Sequence, residues 1–89
     1  MLEKQIEIIN KLGLHARAAA KLISVSSRFA STVWLIKDGR EVDGKSIISV
    51  MMLAAAKGSW LTVRIEGEDE ANAMAAIETL INNRFEEDE

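Results

Sequence analysis

Eighty-nine residues, 48% of them hydrophobic and 28% charged, suffice for one domain over residues 1–89 around a single modest core, with the balance of a soluble globular chain. The absence of cysteine excludes disulfides and thiolate metal sites, and a single histidine argues against a histidine-based zinc centre, so no metal or cofactor is expected. No stretch nears the ~20 apolar residues of a membrane span, Met1–Gln5 lacks the apolar core of a signal peptide, and a net charge of −3 argues against nucleic acid, so the expected setting is cytoplasmic.

From Leu2 to Ile9 the residues alternate, with Leu2, Ile6 and Ile8 on one face and Glu3, Gln5 and Glu7 on the other, which predicts a half-buried strand. A loop over Asn10–Leu14 follows, with Gly13 free to take unusual dihedrals. The first helix is predicted from about Ala16 to Arg28, with Ala19, Leu22, Ile23 and Ser26 facing inward at helical spacing. Thr32–Lys37 is rich in β-branched and aromatic residues and reads as strand, and Asp38-Gly39 signals a hairpin returning through Arg40–Asp43. Ser46 is a good N-cap for a short helix from Ile47 to about Ala56, with Val50, Leu53 and Ala54 inward and Gly58 as the left-handed stop. Trp60–Glu66 alternates with Leu61, Val63 and Ile65 inward, and Gly67 breaks it. The last helix starts near Asp69 and buries Ala73, Met74, Ile77, Leu80 and Ile81, with Glu68, Asp69 and Glu70 at its positive end. Phe85–Glu89 reads as a frayed acidic tail. The order β-α-β-β-α-β-α, with one apolar face per element, predicts an α+β two-layer open-faced β-sandwich: a four-stranded antiparallel sheet with three helices on one face.

Chemistry concentrates in Lys11–Lys21, which holds the only histidine, His15, and Arg17 two residues later, where a glycine-marked loop becomes a helix. An imidazole acts as acid, base or nucleophile near neutral pH. The first N–H groups of a helix form an anion site, and a guanidinium adds donors and permanent charge suited to phosphate. Together they would let His15 accept and hold a phosphoryl group. The plainer alternative is a histidine that caps the helix or is simply solvated.

Ile47, Ile48, Met51 and Met52 cover too much of a short helix to all face the core, which predicts exposure of Ile47, Ile48 and Met51 as an adaptable docking patch. Arg17, Lys21, Lys45 and Lys57 would form a basic rim steering acidic partners, or else are plain solvated charges. Trp34 and Trp60 could suggest base stacking, but with no basic face they are expected to pack instead.

Gly13-Leu14-His15-Ala16-Arg17, Gly44-Lys45-Ser46-Ile47-Ile48, Ala56-Lys57-Gly58 and Glu66–Glu70, taken over nearly the whole chain, resemble the HPr family, the histidine-containing phosphocarriers of the bacterial phosphoenolpyruvate-dependent phosphotransferase system. Asn10–His15 and the Phe85–Glu89 tail are more similar to the nitrogen-branch paralogue NPr, whereas Lys45-Ser46-Ile47 resembles substrates of HPr kinase/phosphorylase. The resemblance implies a carrier rather than an enzyme. His15 would take the phosphoryl group from enzyme I and pass it to an enzyme IIA-type acceptor. Arg17 and the N–H groups of Ala16 and Arg17 would steady the charge. It also turns Ser46, otherwise a plain N-cap, into a regulatory phosphorylation site, and makes Lys21, Lys45, Ile47, Ile48 and Met51 partner-binding residues of a monomer. One departure is Ala18, where the family usually has proline after the arginine. Alanine keeps the helix, returns one N–H and loosens the first turn. An alternative function is a regulatory, NPr-like phosphoprotein that controls partners through its phosphorylation state with little sugar-transport flux; a small-ligand sandwich has no supporting motif.

Overall fold

The alternating segments pair into one antiparallel sheet in a computed structural model that describes residues 1–89. Its strands are β1 (Leu2–Glu7), β2 (Thr32–Lys37), β3 (Arg40–Asp43) and β4 (Trp60–Glu66), in the spatial order β1-β4-β2-β3. The helices are α1 (Ala16–Ser26), α2 (Ile47–Met52) and α3 (Glu70–Asn82), followed by a single terminal turn at Arg84–Glu86. This is the expected α+β open-faced sandwich.

Register explains the two faces. Leu61, Val63 and Ile65 of β4 sit opposite Ile6, Lys4 and Leu2 on one side, and Val63 and Ile65 sit opposite Leu35 and Val33 on the other. These positions face the helices, where a core of 20 buried residues joins β2 and β4 to Leu22 of α1, Val50 of α2 and the Ala73, Met74, Ile77, Leu80 and Ile81 stripe of α3. Leu2, expected inward, is exposed at the edge. Beside it Lys4 places its Nζ 2.9 Å from Glu78 of α3, closing that edge with an ion pair. The hairpin turns on Asp38 and Gly39, with φ of 51° and 81°, the positive pair that a two-residue turn of matching twist requires.

Several boundaries differ from expectation. β1 ends at Glu7 and α1 at Ser26, and Ala18 is buried while Ile23 is only half-buried. α2 stops at Met52, four residues short of Ala56, and Ala54 is exposed with φ of 51°. The chain must leave the helix there so that Ala55 can turn inward and its carbonyl can accept the Leu14 N–H at 2.8 Å. Gly58 is left-handed as expected, but it turns the chain into β4 rather than ending α2, donating its N–H to the Ile8 carbonyl. Trp60, expected to pack, is 58% exposed. It lies opposite Glu7 on the sheet face without helices, where β4 also carries Arg64, bonded to Glu3 and Glu41.

The largest difference is the tail. Phe85 is fully buried in the core, and Arg84, Phe85 and Glu86 all have positive φ, 57°, 54° and 65°. Left-handed backbone costs a side-chain-bearing residue roughly 1–2 kcal/mol, so three in a row form only where something holds them. Burial of the Phe85 ring, about 1.5–3 kcal/mol, offsets part of it. The rest comes from contacts around His15.

Candidate functional site

Gly13 brings the chain into α1 at φ 66°, and any Cβ there would collide with the Ala55 carbonyl, so only glycine lets this loop lie against the end of α2. Leu14 is buried beneath it. His15 is thereby the N-cap of α1, in extended conformation with φ −74° and ψ 178°. Its carbonyl accepts the first helical hydrogen bond, from the Ala19 N–H at 2.8 Å, which leaves the Ala16, Arg17 and Ala18 N–H groups outside the ladder. The His15 side chain makes no capping bond, so the donors at this helix end remain free for an anion. Arg17 is exposed on the first turn, and its guanidinium makes no hydrogen bond or ion pair. The alanine at position 18 is compatible with the helix start, where its buried side chain faces the core.

The tail closes over this loop. Glu87 Oε2 lies 2.5 Å from His15 Nε2, while Glu87 Oε1 accepts Asn10 Nδ2–H at 3.0 Å. Asn10 is fully buried and also donates to the Gly13 carbonyl at 2.8 Å. Lys21 Nζ donates to the Phe85 carbonyl at 2.8 Å, and Lys11 reaches Glu89 with both its N–H and its ammonium, the latter at 3.2 Å. Burial alone would raise the Glu87 carboxyl, but the hydrogen bonds donated by Asn10 and His15 and the positive charge of Lys21 outweigh it and hold the group below the usual carboxylate range. His15 Nδ1 has no protein partner.

The other predicted site residues lie as follows. Ser46 caps α2 and is half-buried, its Oγ accepting the Ser49 N–H at a long 3.4 Å. Ile47, Ile48 and Met51 are exposed, Ile48 to 70%, and Met52 joins them, so the patch on α2 is present. Leu12 is exposed in the His15 loop, a residue the sequence reading did not mark. Lys57 is exposed, whereas Lys21 and Lys45 are half-buried, their ammonium groups tied to the Phe85 and Phe29 carbonyls. The sequence reading missed Asn10 and Glu87. The available signal was Phe85, a lone aromatic among acidic residues, which an exposed tail has no reason to carry.

The family model described as the PTS HPr component phosphorylation site matches residues 2–83. The chain belongs to the HPr family. HPr of Xylella fastidiosa is 54% identical over 88 residues, covering 99% of both chains. HPr of Thermoanaerobacter tengcongensis superposes with a TM-score of 0.96 at 42% identity, each chain covered completely. A dimeric HPr structure from the same organism matches with a TM-score of 0.79 at 42% identity, covering 98% of this chain and 100% of that one. HPr is a phosphocarrier, and this is the chemistry to which the residues around His15 are suited.

Proposed function

We propose that His15 accepts a phosphoryl group from phosphorylated enzyme I and passes it to an enzyme IIA-type acceptor. The observation that carries this reading is the setting of the ring: His15 caps α1 beside free N–H groups and an unpaired Arg17, with Nδ1 unengaged. The N–H groups of Ala16 and Arg17 supply short-range donors at the positive end of the helix dipole, and the Arg17 guanidinium supplies mobile charge. None of them needs to break a bond to receive the group. Phosphoryl transfer depends on positioning and charge stabilisation rather than on covalent help from the protein, so a site of this simplicity suits a carrier whose partners complete it. The exposed Ile47, Ile48, Met51 and Met52 provide an apolar docking patch on the neighbouring α2.

Ser46 is read as a regulatory phosphorylation site, the substrate of an HPr kinase/phosphorylase where one is present. A phosphoserine would add about two negative charges at the edge of that patch without requiring the helix to move. Presenting one site to two proteins in turn suits a monomer. His15→Ala should abolish labelling from phosphoenolpyruvate and enzyme I with an unchanged far-ultraviolet circular dichroism spectrum; full labelling of that variant would overturn the assignment.

A further inference from the structure

We propose that Glu87 is the positioning residue of the phosphoryl acceptor: by holding the His15 Nε2–H it fixes the tautomer and the orientation of the ring. This rests on the phosphocarrier reading of His15 and adds a positioning residue to it. Glu87 also lies beyond residues 2–83, the part of the chain that matches the family model.

The geometry starts from Glu87. An ionised carboxylate only accepts hydrogen bonds. Its Oε2 lies 2.5 Å from His15 Nε2, so the proton between them belongs to the ring nitrogen. A neutral imidazole with its proton on Nε2 carries its lone pair on Nδ1. The second carboxylate oxygen is taken by Asn10, whose amide is itself anchored on the Gly13 carbonyl of the loop that presents His15. Loop, carboxylate and imidazole therefore form one unit.

The backbone is built to deliver this carboxylate. Asn83 is the C-cap of α3, and a chain continuing beyond it in extended or right-handed backbone would carry no left-handed strain. Instead Arg84, Phe85 and Glu86 wind left-handed, Phe85 is sunk in the core, and Lys21 of α1 clamps the Phe85 carbonyl. Backbone strain of this kind persists only where its surroundings over-determine it, and it concentrates at functional sites.

In the transfer, the Nδ1 lone pair attacks phosphorus as the bond from phosphorus to the donor atom breaks, the donor keeping that electron pair. The ring becomes an imidazolium whose Nε2 proton stays shared with Glu87, so the carboxylate faces the positive charge as it forms. Onward transfer returns the bonding pair to Nδ1. A carboxylate behind a histidine does the same work in serine proteases, orienting the ring and stabilising its charged form without taking the proton.

The test compares the full-length chain with Glu87→Ala and Glu87→Gln. The unphosphorylated ring is read first, by nitrogen-15 NMR at alkaline pH. The wild type should show a slowly exchanging Nε2 proton and a bare Nδ1. In Glu87→Ala that proton should exchange freely and the ring signals should move towards those of a solvated imidazole. Phosphorylation by enzyme I should slow about tenfold or more in Glu87→Ala, less in Glu87→Gln, and added formate should restore part of the lost rate. A contact of merely structural value would give no formate rescue. Unchanged ring signals with an unchanged rate would overturn the proposal. So would a faster Glu87→Ala, which would make the tail a cover over His15. Should the wild type take no phosphate, the carrier reading fails, and the ring signals alone decide the role of Glu87 in either direction.

Discussion

Phe85→Ala tests whether the tail is held as described. The ring is completely buried, and deleting a buried phenyl group from a rigid core costs about 3–5 kcal/mol. The site lies at the chain end, however, and its anchor is strained. Once the ring is gone, Arg84, Phe85 and Glu86 can leave the left-handed region, returning roughly 1–2 kcal/mol each. Against that stand the lost bonds from Lys21 to the Phe85 carbonyl and from Asn10 and His15 to Glu87, about 0.5–1.5 kcal/mol apiece. The terms leave a net loss of about 1–3 kcal/mol, or a fall in melting temperature of roughly 5–20 °C for a chain of this size. Urea unfolding followed by circular dichroism measures the loss, and the His15 ring signals report whether Glu87 has let go. A loss beyond about 5 kcal/mol would mean that no strain was released, refuting the left-handed turn as a stressed element. A loss under about 0.5 kcal/mol would mean that the tail is frayed after all.

Three further outcomes follow from the same structure. Glu86→Gly should stabilise the fold by about 0.5–1 kcal/mol in thermal melts, because glycine accepts φ 65° without strain and the Lys21 pair it removes, at 3.7 Å and exposed, contributes little; Glu86→Ala should not. Asp69, which ties the start of α3 to the end of the α1–β2 loop, is held below the usual carboxylate range by hydrogen bonds from the Ser31 hydroxyl and the Ala30 and Ser31 N–H groups. Its contribution is therefore present above the unfolded value of about 3.9 and lost as pH falls towards the lower folded one. Asp69→Asn should melt earlier at pH 7, the gap from the wild type should narrow as pH falls below about 3.9, and parallel curves down to acid would contradict this. Ser46→Asp should slow phosphoryl transfer to His15 about tenfold while the melting temperature moves by only about 3 °C; a large loss of stability with normal transfer would leave Ser46 purely structural.

The sheet and the α3 stripe were legible because strict alternation and helical spacing report burial directly, as Leu61, Val63 and Ile65 and Ala73 to Ile81 illustrate. Asp38-Gly39 was legible because few residue pairs tolerate that turn. The end of α2 was not, because Ala54 has high helix propensity and leaves the helix only to let Ala55 meet the His15 loop, a tertiary demand that no local pattern carries. Trp60 misled in the opposite way: its size suggests burial, but strand register puts it on the face that no helix covers. At the site, His15 and Arg17 could be marked by residue type and adjacency. Glu87 could not, since its partner is 72 residues away and the turn that delivers it uses side-chain-bearing residues where glycine would be expected.

The most direct test of the phosphocarrier account is the intact mass of the chain after incubation with enzyme I and phosphoenolpyruvate, measured before and after brief acid treatment. One added phosphate that acid removes is the expected result, since a phosphoryl group on a ring nitrogen is acid-labile. No added mass on folded protein, or a phosphate that survives acid, would contradict His15 as the carrier.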